Sequence, residues 1–418
     1  AAAMTAADRL AEYAVPEPAY KAWRERVTQQ QDVDVRLSGV RMEGLHRVNP
    51  DYAQTFTTIR EGDKVDIETI SEDARRIAAL EEFDAVAYRL EGDPASPTLV
   101  WIPEEASLGR DVLRPSLGFY GAAGGEFSFV LGLQHTRYWL NPRGGQWRNN
   151  LQIGYETLIE TSLYQPLDIP QRYFIEPRLF ANRSVENLFD DGDWIATYRF
   201  IDVGAQLDAG MNLGSTSQLR LGYAYAARRA DPQIGSKQLP KADASDAGLV
   251  ARATYDSRNA ATFATEGIAA AIEYRFADES LGSDRNWERV EAAVRTALPV
   301  RDNMLWLGIA GGTDLGSDLP ADRLFSLGGT RTLPAYQRGA LRVGNYWLFD
   351  AMLLWRLKEI VPVKNLAIYG GFGLQAAGLY DRLDEVDDGE VYDLTGYLGG
   401  PTPIGTLTIG VSGAEDSW

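Results

Sequence analysis

Residues 201–225 read Ile-Asp-Val-Gly-Ala-Gln-Leu-Asp-Ala-Gly-Met-Asn-Leu-Gly-Ser-Thr-Ser-Gln-Leu-Arg-Leu-Gly-Tyr-Ala-Tyr. Ile201, Val203, Ala205, Leu207, Ala209, Met211 and Leu213 share one parity, and Asp202, Gln206, Asp208 and Asn212 share the other. After Gly214-Ser215-Thr216 the alternation restarts, with Leu219, Leu221, Tyr223 and Tyr225 opposing Gln218 and Arg220. A period of two puts each set on one face of a strand. Many such strands in series, joined by turns rather than helices, suit a closed barrel with lipid outside and water inside.

Working outward, fifteen segments carry this pattern: 112–121, 126–140, 147–156, 159–165, 173–184, 198–213, 217–228, 248–255, 267–277, 287–298, 303–313, 341–357, 366–379, 391–399 and 406–412. Short turns at 213–217, 299–303 and 401–405 alternate with long acidic connections at 231–244, 278–286, 314–340 and 381–390. The short turns are assigned to the periplasm and the long loops to the exterior. Bacterial single-chain barrels have even strand counts, so fifteen ascending and descending strands imply a descending sixteenth missing after Gly413–Trp418. The expected fold is therefore mainly β: a 16-stranded outer-membrane barrel lacking its final strand, over residues 106–418. Arg178, Asp202, Asp208, Arg220, Arg252, Glu273, Arg275, Arg289, Glu291 and Arg295 fall on the inward face, predicting a hydrated, salt-bridged lumen. Tyr120, Trp139, Trp147, Tyr164, Tyr173, Trp194, Tyr255, Trp287, Tyr346 and Tyr369 lie near strand ends and are assigned to aromatic girdles at the membrane surfaces.

The bulk numbers narrow the function. The net charge of −18 argues against a nucleic-acid partner, which requires a positive surface. Zero cysteine removes disulfides and thiol chemistry. The two histidines, His46 and His135, fall in different modules and give no metal site. No cofactor-binding motif and no catalytic constellation occurs; Gly410-Val411-Ser412-Gly413 lies on a strand and is not a nucleophile elbow. Acidic residues from Asp381 to Asp388 read as a solvated loop rather than a calcium site.

Ahead of the barrel, residues 1–30 read as a helical linker divided by Pro16 and Pro18, with Tyr20, Trp23 and Val27 on the face packed against its neighbour. Residues 31–105 read as strand (Val33–Leu37), helix capped by Asn49 with Pro50 following, helix from Ile67 to Glu82 capped by Asp66, and two strands, 83–90 and 98–102. This β-α-α-β-β order, with Ser38-Gly39, Arg60-Glu61-Gly62 and Leu80-Glu81-Glu82-Phe83, resembles a single POTRA domain, which implies a periplasmic module able to accept an extended client strand.

Two further stretches are specific. Tyr255-Asp256-Ser257-Arg258-Asn259, followed by Phe263-Ala264-Thr265-Glu266-Gly267, resembles a turn of the BamA, TamA and FhaC outer-membrane superfamily, with Ala264 where that family has proline. Phe325-Ser326-Leu327-Gly328-Gly329, followed by Leu333-Pro334-Ala335-Tyr336, resembles its sixth extracellular loop, which folds into the lumen. Here Pro334-Ala335 stands for the family's Arg-Gly, and Gln375 stands where its acidic partner is expected. Both halves of the arginine–carboxylate pair are thus absent, leaving Tyr336 or its neighbours to anchor the loop.

One POTRA domain plus a barrel is most similar to the C-terminal half of PlpD-like patatin autotransporters (type Vd secretion). The resemblance implies a translocator or anchor with its domain in the periplasm and its barrel in the bacterial outer membrane. The implied partners are outer-membrane lipids and lipopolysaccharide, the barrel assembly machinery, and its own N-terminal patatin-like lipase passenger. Homodimerisation through that passenger is also implied. A BamA/TamA-like assembly factor is the alternative; a passive porin fits poorly.

Overall fold

The computed structural model describes residues 15–31, 35–80, 82–107, 109–121, 127–190, 193–235, 241–260, 263–329, 332–359, 367–383, 388–402 and 405–414. They form two units, Ala1–Ser107 and Leu108–Trp418. Among the described residues no helix is long and apolar enough to cross a membrane.

The first unit begins with helix α1 (Glu17–Gln31), whose Tyr20 and Trp23 pack on each other but stay about half exposed, at 46% and 52%. Among the described residues, Tyr20 and Trp23 thus lack the expected packing against a neighbour; the Val27 side chain lies outside them. The remainder is β1 (Gly39–Met42), α2 (Pro50–Gln54), α3 (Ile67–Ala78), β2 (Phe83–Asp93) and β3 (Ser96–Glu105). Of the expected strand 33–37, residues 33–34 lie outside the described residues and Val35–Leu37 bridge to 62–65 through Arg36 and Lys64; the sheet strand β1 follows C-terminal to them. Asn49 and Asp66 cap their helices, accepting from Asp51 N and from Glu68 N and Thr69 N respectively. The sheet order is β1-β3-β2, parallel between β1 and β3, antiparallel between β2 and β3. Ile70 and Ile77 of α3, with Leu99, Val100 and Trp101 of β3, form its core.

The second unit is one antiparallel sheet: β4 (Asp111–Gly121), β5 (Phe127–Arg137), β6 (Gln146–Gly154), β7 (Thr157–Pro166), β8 (Tyr173–Asp190), β9 (Asp193–Leu213), β10 (Ser217–Ile234), β11 (Ala242–Asp256), β12 (Gly267–Ala277), β13 (Trp287–Val300), β14 (Asn303–Thr313), β15 (Phe325–Leu327), β16 (Leu341–Glu359), β17 (Ala367–Arg382), β18 (Gly389–Thr402) and β19 (Gly405–Ala414). Each strand pairs with its sequence neighbour from β4 to β19, except that short β15 hangs from β16 and β14 pairs directly with β16. β4 and β19 are the two ends of this path, and no ladder joins them among the described residues. Wall strands match all fifteen sequence segments. β8 to β11 run further than the polar sequence suggested, while Gly413 and Ala414 of the presumed tail complete β19. Residues 415–418 lie outside the described residues.

The two faces differ as the 201–225 pattern demands. Leu207 and Leu221 are 56% and 58% exposed, whereas Asp208 is 5%. Leu117, Leu131, Leu179, Ile309 and Phe372 join the exposed apolar face, far more than a water-soluble protein leaves uncovered. The polar face surrounds the long β14–β16 connection. That connection touches β9, β11, β17, β18 and the β6–β7 turn, so the sheet is curled around it.

Candidate functional site

The β14–β16 connection, residues 314–340, builds its own core inside the curled sheet. β15 pairs with Leu341–Val343 at the start of β16. Leu319, Phe325, Leu327, Leu333 and Tyr336 bury against Trp287, Tyr346, Leu348 and Leu379 of the wall. Gly328 and Gly329 both take positive φ, +99° and +91°, and a Cβ on Gly328 would lie 2.2 Å from the Gln337 carbonyl. Glycine is thus required for the turn that sends Leu333–Tyr336 inward.

Two backbone donors anchor that tip. Leu333 N–H donates to Gln375 Oε1 on β17, and Ala335 N–H donates to Asp393 Oδ2 on β18. Asp393 is 1% exposed and also accepts from Thr395 Oγ1 at 2.9 Å. Pro334, between the two donors, has no N–H to satisfy. Leu333 itself adopts φ +52°, a strained conformation for a leucine, held by complete burial. Neither half of the arginine–carboxylate pair stands at its expected position, and neighbours of Tyr336 make the anchor instead. The carboxylate sits on β18 rather than β17, paired in register with Gln375, and the main chain replaces the arginine.

The start of the same loop is clamped by charge. Asp322 receives Arg285 Nη1 at 2.6 Å and Arg228 Nη1 at 3.2 Å. Arg323 pairs with Asp246, which also accepts from Arg285 Nε at 2.9 Å and Trp287 Nε1 at 3.0 Å. Arg228 reaches Asp202 at 3.3 Å, and Arg289 donates to the Arg323 carbonyl at 2.9 Å. Nothing in the loop's sequence pattern singled out Asp322-Arg323; the signal available was an adjacent acid–base pair in a connection facing a charged lumen.

Asp256, Arg258 and Gly267 lie at the β11–β12 connection, away from the loop. Arg258 donates to both carboxylate oxygens of Asp256, at 3.0 and 2.8 Å. Gly267 has φ +103°, and a Cβ there would sit 2.4 Å from the Ser257 carbonyl. This tight neck turns the connection inward. Phe263 buries against Trp306 and Tyr369, with Met304 and Leu354 beside them, and Trp306 Nε1 donates to the Ala264 carbonyl at 2.9 Å. A second segment thus closes on the lumen from the opposite end of the strands.

Between these elements the wall is lined by ion pairs. Arg220 meets Glu176 at 2.7 Å, Arg178 meets Glu160 at 3.2 Å, and Glu273 is shared by Arg252 and Arg275. Cavities of about 380 and 210 Å³ remain beside them. Among the described residues no group of acids and histidines is arranged for a metal. His135 instead lies 3.0 Å from Asp111, in a different unit from His46. The acidic 381–388 connection lies partly outside the described residues.

Trp147, Tyr173, Trp194 and Tyr255 do face outward, at 41–53% exposure. Trp139, Tyr164, Trp287, Tyr346 and Tyr369 do not; all are buried, and their assignment to girdles is corrected. Trp287 shares parity with Arg289 and Glu291, and Tyr369 with Gln375, so parity overrides proximity to a strand end. The Tyr120 side chain lies outside the described residues.

No curated protein matches the sequence at a significant level. Solved structures do. BamA from Haemophilus ducreyi lacking POTRA domains 1–3 aligns over 92% of this chain and 82% of its own, with TM-score 0.66 and 14% identity. CdiB from Acinetobacter baumannii covers 92% and 71% at TM-score 0.61 and 10% identity. CdiB from Escherichia coli covers 91% and 72% at TM-score 0.59 and 10% identity. These identities establish shared fold. The family profile described as the Omp85 superfamily domain matches residues 140–386, spanning the wall from β6 to β17 and both inward segments. The chain therefore belongs to the Omp85 superfamily and is a β-barrel protein of the outer membrane.

Proposed function

We propose that this chain is the outer-membrane anchor and translocator of an autotransporter whose passenger is an N-terminal patatin-like phospholipase. Residues 31–105 act as its POTRA domain in the periplasm, and 106–418 supply the barrel. The observation that carries the reading is the doubly anchored loop, held at Asp322-Arg323 and again at Leu333 and Ala335. Such a loop seals the lumen at rest yet is one movable element, so passage requires its displacement or the parting of β4 from its closing partner. Among the described residues of the first unit, β1 and β2 pair on one side only, which suits capture of an extended passenger segment by strand addition.

Single-channel conductance with and without residues 318–340 tests the plug, and identical traces would remove it. The passenger is tested separately, by surface lipase activity in cells carrying the parent gene; activity unchanged on deleting this chain contradicts the anchoring role. The second reading, a factor that inserts other barrels, is favoured by β4, an end strand carrying Pro115. Depletion distinguishes them, since general loss of outer-membrane barrels follows only for an insertase.

A further inference from the structure

On β9 the outward positions run apolar from Leu213 through Met211, Leu207 and Val203 to Ile201, and then change to Arg199. The change is shared by neighbours: Ala181 gives way to Arg183 on β8, and Ala227 to Arg229 on β10. Register puts Arg183, Ile201, Arg229 and Asp243 in one row, with Arg199 and Asp231 in the next. Exposed Tyr223 and Tyr225 sit just beneath. From Met211, opposite exposed Tyr173, to Arg199 is about 40 Å along the strand, which at a tilt of about 45° spans about 30 Å of membrane, the thickness of a hydrocarbon core. The row of cations is therefore level with the outer-leaflet headgroups.

Three of the cations converge on one carboxylate. Arg229 Nε, Arg199 Nη2 and Lys241 Nζ lie 3.0, 3.3 and 3.6 Å from Asp231. Asp231 is 6% exposed, while the side chains of Arg229 and Lys241 are 58% and 70% exposed. The acid fixes their spacing and leaves their outer surfaces open. Arg183 is exposed and makes no ion pair among the described residues. Four cations thus face two carboxylates, Asp231 and Asp243, in a chain whose net charge is −18. Among the described residues near β12–β13 and β17–β18 acids outnumber bases, with Asp278, Glu279, Asp284 and Glu288 beside Arg285, and Asp381, Asp388 and Glu390 beside Arg382.

The geometry points to a lipid site: Arg183, Arg199, Arg229 and Lys241 bind the phosphates of an outer-leaflet glycolipid of the lipopolysaccharide class. The arginine forks match phosphate oxygens, and the membrane boundary weakens competition from water. Ala205 lies between Leu179 and Tyr225, and Ala181 and Ala227 flank Val203, so the small side chains leave shallow furrows for acyl chains on either side of Val203. The site rests on the outer-membrane placement of the barrel and is independent of any passenger.

The test reconstitutes the full chain in phosphatidylcholine nanodiscs carrying lipopolysaccharide, or the same lipid dephosphorylated, and measures lipid retained per protein after washing. The phosphorylated form should be retained selectively. Arg183→Gln/Arg229→Gln/Lys241→Gln should lower retention by on the order of fivefold per removed cation. Arg143→Gln, on an exposed turn at the other end of the strands, should leave it unchanged, and unaltered heat-modifiable migration verifies folding of each variant. Equal retention of the dephosphorylated lipid overturns the proposal, as does a triple variant that is folded and retains as much as wild type. Displacement by millimolar inorganic phosphate also overturns it, because the site then takes free phosphate.

Discussion

The Ala335 N–H donates to the carboxylate of Asp393, 58 residues downstream and two strands beyond the loop's return into β16. A main-chain donor cannot be altered without moving the loop, so the wall residue is the part that can be tested. Replacing Asp393 by Ala removes a charge-assisted bond of about 1.5–3 kcal/mol. The released loop should open roughly ten- to a hundredfold more often in single-channel records. Asp393→Asn, which keeps an acceptor, should lie between Asp393→Ala and wild type.

The opposite end of the loop is held by ions. Asp322→Ala leaves Arg285 and Arg228 without one of their carboxylates in a partly buried setting, at a cost of about 3 kcal/mol. Limited proteolysis of the detergent-solubilised protein should then cut within 314–340 while the wall stays intact. Protection equal to wild type would show that Asp246 and Asp202 suffice to hold Arg323.

The β11–β12 neck gives a sterically determined expectation. Gly267→Ala places a methyl group 2.4 Å from a backbone carbonyl at a φ of +103°, with no flexible side chain to give way. The neck should distort, withdrawing Phe263 from Trp306 and Tyr369, and the heat-modifiable species should melt several degrees lower. Phe263→Ala should reproduce most of that loss, about 3 kcal/mol, with the neck unchanged.

Much of this molecule could be read from alternation alone. β12 and β14 begin and end where the sequence places them, because Gly267, Ala277, Asn303 and Thr313 coincide with the loss of periodicity. β8–β10 outrun the reading because their outer ends, above the membrane, need no apolar face to remain paired. The partners of Asp393 were hidden for a different reason. A side chain's face follows from parity, but its partner follows from how far the sheet curls, and no local pattern encodes that. Gln375 was legible as a position, while its neighbour in register, which carries the charge, was not.

In the first unit, burial alone would raise the pKa of Glu105, but the N–H groups of Val48, Arg47 and His46, together with the Arg47 side chain, hold it below the usual 4.5. A carboxylate with a lowered folded pKa stabilises above its unfolded value. That contribution should persist at neutral pH and fade as pH drops below 4.5 through the folded value. Glu105→Gln should therefore destabilise the unit by about 1–2 kcal/mol at pH 7 and progressively less below pH 4.5, as read by hydrogen exchange at β3.

Everything about the lumen depends on the 314–340 connection lying inside the curled sheet. The chain has no cysteine, so Ala335→Cys with Asp393→Cys introduces the sole thiol pair. Oxidation in intact outer membranes should link the two almost completely and freeze the channel closed until reductant is added. Free thiols at both positions in a folded barrel, or a linked protein that conducts like wild type lacking 318–340, would contradict the inward loop.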